Sequence, residues 1–395
     1  MNTAHDPFIL KLPLEIASII FEYWCPTPEL DPACFSHGIR KKVAAPLILG
    51  AVCRGWRIIA WSLPKLWTYV EVRLDRPAKL EFEIASEWLQ RSKQLLISVQ
   101  VTTFALGSIA HRIIQDFSTL KLDTHTSVTW TQVGSLEIGQ CLDLLRAAPD
   151  LIYCKFYEVQ THDNVGQYSS VTNFLCHSKL QKLVFHGQCA HVAIEVFEKV
   201  SLPALEELEV DVNFDDLPTD ALKKFFNRSA RGLWKLTIFQ AQINVTGFVS
   251  MLQKVPSLEL LVLCPEVDTG FDLTEFLNVL GETAIRKGKV PKESSLLPNL
   301  REFRYWAWAP QDVDWQRVPQ IFGPLLGLDN PRRRPLDGAS FDLIGPLQEL
   351  SEDDLNCLRP VRDAGIDLRI TTKGSGWDYD LLEGAKREIR KEEEE

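Results

Sequence analysis

Within the 395 residues, the densest group of side chains able to hold a metal or move a proton is Cys176, His177, His186, Cys189 and His191. Thiolate and imidazole are the ordinary ligands of zinc. The spacing offers no Cys-x2–4-Cys knuckle, and no His-x3–5-His pair with matching cysteines. These five therefore read as ordinary residues of the fold, and no metal or cofactor is implied. Motifs for nucleophilic, phosphate or dinucleotide chemistry are also missing: there is no Gly-x-Ser-x-Gly, Gly-x4-Gly-Lys-Ser/Thr, Gly-x-Gly-x-x-Gly or His-Glu-x-x-His. The chain is expected not to be an enzyme, and its chemistry is expected to be that of binding surfaces. Arg332-Arg333-Arg334, flanked by Pro331 and Pro335, reads as an exposed basic loop.

The composition sets what can carry such surfaces. Apolar residues make up 45% and charged residues 24%, ordinary values for a folded chain with a large core. At this length two domains or a repeat array are expected. The net charge of -10 opposes a nonspecific hold on nucleic acid or anionic lipid, so neither is expected as a partner. No apolar run reaches membrane-spanning length, and nine cysteines without a Cys-x-x-Cys pair suit reduced thiols. A cytoplasmic or nuclear location is expected.

Two apolar stripes open the chain. Leu12, Ile16, Ile19, Ile20 and Tyr23 fall on one face of a helix that Pro13 can begin, and Ile48, Val52, Trp56, Ile59 and Leu63 fall on another. Between them, residues 25–45 carry Pro26, Pro28, Pro32 and Gly38 and read as a looped insertion. The order Leu12-Pro13-x-Glu15-x4-Ile20-Phe21, then Val52-Cys53-Arg54-x-Trp56-Arg57, then Leu63-Pro64-x-Leu66-Trp67 resembles the F-box, in the form common in fungal proteins. This resemblance covers residues 8–70. It implies a three-helix module that docks on the Skp adaptor of a Skp/cullin/F-box ubiquitin ligase. Leu12, Pro13, Ile16, Ile20, Val52, Cys53 and Trp56 are its implied adaptor contacts, with Trp56 the one most exposed to the competing reading of module core.

Past Trp67 the texture becomes short β-like runs alternating with amphipathic stretches. A frame Leu-x-x-Φ-x-Φ, with Φ apolar, fits Leu151-Cys154-Phe156, Leu180-Leu183-Phe185, Leu205-Leu208-Val210, Leu233-Leu236-Ile238, Leu258-Leu261-Leu263 and Leu300-Phe303-Tyr305. Turns at Pro149, Pro203, Pro256 and Pro298 precede four of the six. The units resemble a leucine-rich-repeat array over residues 71–373, with an insertion at about 281–295 and without a consistent Asn ladder. The expected fold is thus α/β: the helical module, then a curved solenoid of helix-turn-strand units with a parallel sheet.

Strand side chains alternate faces, so the residues between the Φ positions form a recognition ladder. Tyr153, Lys155 and Tyr157 open it; Lys182 follows, then Glu207, Glu209 and Asp211, then Lys235 and Phe239, and finally Arg304, Trp306 and Trp308. This mixture of aromatic, basic and acidic residues suits a protein partner, the competing reading being a solvated sheet face. Residues 374–395 form an acidic segment, expected to be mobile unless Trp377 and Leu381 dock. Together these features predict the substrate-recognition subunit of a ligase, joined through its adaptor to a cullin. The alternative is a repeat scaffold or inhibitor outside ubiquitin ligases.

Overall fold

The structure is a computed structural model that describes residues 12–24, 45–73, 83, 87–88, 90–93, 95, 97–103, 126–132, 136–161, 174–229, 231–265, 271–285, 296–307, 313–325, 330, 332–344, 350–374, 377–382 and 385–388. The chain is mixed α/β, with mostly parallel pairing of its strands. Its contacts divide it into two compact units, Met1–Glu158 and Val159–Glu395. The sequence placed the first boundary earlier, at 70/71.

In the first unit, α1 (Leu14–Trp24) begins directly after Pro13, whose carbonyl accepts the Ile16 and Ala17 N–H groups at 3.0 and 3.1 Å. Next come α2 (Ala45–Val52) and α3 (Arg54–Ser62). The second apolar stripe is therefore not one helix. Its break is Cys53, extended at φ -157°, whose Sγ accepts the Trp56 N–H at 3.3 Å and so supplies an end-cap to α3. Arg57 Nε donates to the Gly50 carbonyl at 2.8 Å, satisfying the last turn of α2.

A 3-10 turn at Pro64–Trp67 closes the module. Trp67 is fully buried, donates its indole N–H to the Ala60 carbonyl at 2.8 Å and lies edge-on to Trp88 at 4.8 Å. The guanidinium of Arg91 sits 4.7 Å above the Trp67 ring, a cation–π contact that covers it. Among the described residues the buried apolar interior of the helices and this turn is Ala17, Phe21, Leu49, Ala60, Leu66 and Trp67. Beyond it, β1 (Tyr69–Arg73), β2 (Ile97–Thr103), β3 (Thr126–Gln132) and β4 (Tyr153–Gln160) pair parallel in chain order. Helix α4 (Ile138–Ala147) precedes β4 and opens with a Glu137/Gln140 capping box.

The second unit is a repetition of turn, strand and helix. Its parallel strands are β5 (Lys182–Gly187), β6 (Glu207–Asp211), β7 (Lys235–Phe239), β8 (Leu260–Cys264), β9 (Glu302–Ala307), β10 (Gly338–Ile344) and β11 (Asp367–Gly374). Its helices are α5 (Ala190–Lys199), α6 (Thr219–Ser229), α7 (Val245–Leu252), α8 (Leu273–Glu282), the short α9 (Val318–Ile321) and α10 (Glu352–Asp363). The strands pair in phase, so that Lys182, Glu207, Lys235, Leu260, Glu302, Gly338 and Asp367 stand in one row.

Two local devices set this phase. Before β6, β8 and β9, and before β4 in the first unit, a proline turn closes with the N–H of the frame leucine donating back three residues: Leu205 to Leu202, Leu258 to Val255, Leu300 to Leu297 and Leu151 to Ala148, at 3.0 to 3.2 Å. Proline suits the second position of such a turn because its φ is already fixed there. Next, the carbonyl just before a strand accepts two N–H groups from the following repeat. Gln181 takes Glu206 and Glu207, Glu206 takes Trp234 and Lys235, Trp234 takes Glu259 and Leu260, and Glu259 takes Arg301 and Glu302.

The frame positions are the core. From Leu180 to Tyr305, all fifteen frame residues of the second unit are at most 1% exposed. At roughly 1.5–3 kcal/mol for each fully buried large apolar side chain, they are the main source of its stability. Helix aromatics complete it: Phe197 lies 5.4 Å from Phe185 and 5.0 Å from Phe225, and Phe276 lies 5.9 Å from Phe303. Leu336, Ala339 and Phe341 form a further frame in β10, which the small Ala339 hides from an apolar pattern search.

Three expectations change in this unit. Of the insertion read at 281–295, the first residues belong to the fold, α8 running to Glu282 and Ala284 being buried, and residues 286–295 lie outside the described residues. The arginine triplet is not an exposed loop: Arg334 is 2% exposed and donates to the carbonyls of Leu280, Leu296 and Leu297 and to the Thr283 hydroxyl at 2.7 to 3.0 Å. Only Arg332 of the three is exposed. Past residue 373, where mobility was expected, β12 (Trp377–Asp380) and β13 (Ala385–Glu388) extend the sheet antiparallel. Leu381 docks there, buried and donating its N–H to Ile370 at 2.9 Å. Residues 25–44 and 389–395 are outside the described residues.

Candidate interaction surfaces

The first candidate surface is on the N-terminal helices. Nine of the thirteen large apolar side chains that stand exposed among the described residues are there: Ile16, Ile19, Ile20 and Tyr23 on α1, Leu47, Ile48 and Val52 on α2, Ile58 and Trp61 on α3. In α1, Ala17 and Phe21 take the inward positions, and the stripe beginning at Ile16 faces out, Ile19 being 62% exposed. Among the described residues the three-helix interior holds one Phe and one Trp, and this stripe stands outside it.

Of the implied adaptor contacts, Ile16, Ile20, Val52 and Pro13 are exposed, whereas Leu12, Cys53 and Trp56 are half-buried. Trp56 packs on Phe21 at 5.2 Å between ring centres, and Cys53 is spent on its capping bond. Both therefore position the helices as well as lining their surface. Ile19, Tyr23, Leu47, Ile48, Ile58 and Trp61 are exposed on the same helices and were not among the implied contacts. Their signal was present as apolar residues left over after the core positions are filled. Charged side chains hold the module's edges, as in the Lys65–Glu22 pair at 2.8 Å.

The second candidate surface is the sheet face turned away from the frame residues of the second unit. In-phase pairing arranges its side chains in three rows across the strands. The first row contains Lys182, Glu207, Lys235, Leu260, Glu302 and Asp367, and the second Val184, Glu209, Thr237, Val262, Arg304, Ser340 and Arg369. The third contains His186, Asp211, Phe239, Cys264, Trp306, Asp342 and Thr371. The predicted residues Lys182, Glu207, Glu209, Asp211, Lys235, Phe239, Arg304 and Trp306 are all on this face.

Charges in the first two rows largely meet one another. Glu207 lies 3.1 Å from Lys182 and 3.6 Å from Lys235, Arg304 Nε is 2.6 Å from Glu302, and Arg369 is 2.8 Å from Asp367. The third row differs, since it has two carboxylates and neither lysine nor arginine. His186 Nε2 lies 2.9 Å from Glu209 and its Nδ1 3.8 Å from Asp211. Burial pushes the Asp211 carboxyl above its ordinary range, while the Asn213 N–H and His186 oppose that shift. Asp342 accepts the Trp306 indole N–H at 2.8 Å and is bonded by the Thr371 hydroxyl. Burial, reinforced by Glu209, Asp342 and Asp211, raises the Cys264 thiol well above its usual value, so it remains an unreactive thiol.

In the first unit, Tyr153 and Lys155 are buried, the Lys155 ammonium lying 4.3 Å above the Tyr157 ring. Strand alternation alone had put them on the accessible ladder. Trp308 lies outside the described residues. The possible zinc ligands are dispersed among other tasks: His177 is buried and accepts the Leu180 N–H, Cys189 precedes α5, and His191 stands 3.2 Å from Glu195. Among the described residues no three His, Cys, Asp or Glu side chains are grouped to hold a metal, and no helix is long and apolar enough to cross a membrane. In comparisons with known proteins, no family model and no curated protein matches this chain.

Proposed function

We propose that the chain is the substrate-recognition subunit of a Skp/cullin/F-box ubiquitin ligase. The N-terminal helices hold a Skp-type adaptor, and the strand array captures the protein to be modified. The observation that carries the reading is the exposed apolar face of α1, α2 and α3, in a chain whose other described apolar residues are mostly enclosed. An apolar face of this density marks an interface, because water solvates it poorly and a partner removes it from water. The F-box resemblance of the same residues names the partner.

In this role the chain has no bond to make or break. Holding a captured protein beside a charged conjugating enzyme raises the effective concentration of its lysines, and binding surfaces are sufficient for that. The test is co-purification of the full chain with Skp-type adaptors. The wild type is expected to form a stoichiometric complex, and Ile16→Glu with Val52→Glu to weaken it by about a hundredfold without unfolding the chain. A wild-type chain that binds no adaptor overturns the reading.

A further inference from the structure

The receptor reading leaves open what the strand array captures, and the third row of its outer face bears on that. Its order across β6 to β10 is acid, aromatic, thiol, aromatic, acid: Asp211, Phe239, Cys264, Trp306 and Asp342. Phe214, 42% exposed just beyond the end of β6, extends the apolar part of this margin, its N–H donating to the Gln240 carbonyl beside Phe239. Glu209 adds a third carboxylate from the neighbouring row, where His186 joins it to Asp211.

Charge distinguishes this row from the rest of the face. The first two rows hold lysines and arginines against carboxylates, so both signs stand there side by side. The third row presents carboxylates against imidazole, indole N–H and hydroxyl donors, with no lysine or arginine among its members. Its field therefore favours a cation, and the Trp306 ring beside Asp342 adds a cation–π attraction of the same sign.

Dimensions favour an extended chain. Four strand spacings of about 4.8 Å separate Asp211 from Asp342, roughly 19 Å at most, which about six extended residues span. We propose that this row binds an extended basic segment of a partner protein, with lysine or arginine meeting Asp211 and Asp342 and apolar side chains lying on Phe239, Trp306 and Phe214. The proposal rests on the reading of this face as the capturing surface, and it specifies the class of protein captured. Burial of Asp211 supports it, since an arriving cation offsets the cost of keeping that carboxylate charged.

The test is fluorescence anisotropy with the full-length chain and two dye-labelled peptides of about ten residues, one alternating lysine or arginine with leucine or phenylalanine, the other with glutamate at every basic position. The basic peptide is expected to bind at least about tenfold tighter, with affinity falling as salt is raised. Asp211→Asn with Asp342→Asn is expected to lose about tenfold in affinity, and Trp306→Phe a smaller factor. Lys182→Gln, in the first row, is the control and is expected to bind as the wild type does. Circular dichroism melting separates lost affinity from lost fold, and the single Phe239→Ser variant serves if the double variant unfolds. Equal binding of both peptides, or unchanged binding by folded third-row variants, overturns the proposal. Adaptor co-purification from the same preparation keeps the two readings distinct: an adaptor complex without basic-peptide binding defeats only this proposal, and peptide binding without an adaptor defeats only the ligase reading.

Discussion

The N-terminal helices and the strand array use similar apolar residues to opposite ends. In α1, isoleucines at 16, 19 and 20 are exposed while Ala17 and Phe21 fill the interior. In β5 to β9, every frame residue is enclosed, and the polar residues other than the buried Thr237 are at least partly exposed. The array can enclose its apolar side chains because each repeat covers the next, whereas three short helices have too little interior to do so. An apolar side chain in this protein therefore has two placements, enclosed core or exposed face, and sequence period alone does not separate them.

Substitutions can break that contrast. The largest effect is expected inside the array: Arg334→Ala strips the Leu280, Leu296 and Leu297 carbonyls of their donor and should lower unfolding free energy by about 3–5 kcal/mol, measured by denaturant titration. Phe21→Ala, in the small interior of the helical module, is expected to cost about 3 kcal/mol. By contrast, Ile19→Gln or Ile58→Gln on the exposed face should leave stability within about 0.5 kcal/mol, and a large loss at either position would remove the distinction between the regions.

The smallest effect concerns pH. Because burial raises the folded-state pKa of Asp211, the folded chain binds this proton more readily than the unfolded chain does. Stability is then lost as pH rises from the unfolded carboxylate value, about 3.9, through the raised folded value. Asp211→Asn removes that ionisation and keeps an oxygen for the Asn213 N–H. Its melting temperature is expected to gain on the wild type at neutral pH and to lose that gain near pH 4.

How far the sequence could be read follows the range of the interactions. The Leu-x-x-Φ-x-Φ frame and its proline turns were legible because each turn and strand is specified within a few residues. The array's outer rows followed from strand alternation once the frame was in place. The break at Cys53 was not legible, since a thiol capping a helix leaves the apolar period unchanged. Nor was the burial of Arg334, whose acceptors lie 37 to 54 residues away, or the Trp306–Asp342 bond across 36 residues. Alternation misplaced Tyr153 and Lys155, because a strand's face does not tell whether other chain segments cover it. The docking of Leu381 turned a charged terminal stretch into paired strands.

The paired N–H groups on each pre-strand carbonyl bear on how the chain is made as well as how it is held. Glu206 and Glu207 find their acceptor at Gln181, and Trp234 and Lys235 find theirs at Glu206, always in the repeat translated just before. An emerging strand thus meets its template already synthesised, and the array can grow in step with the ribosome. Arg334 does the same with a side chain, closing over carbonyls made 37 to 54 residues earlier. Its arrival is a late checkpoint, and nascent chains stalled before it should be the ones that chaperones hold.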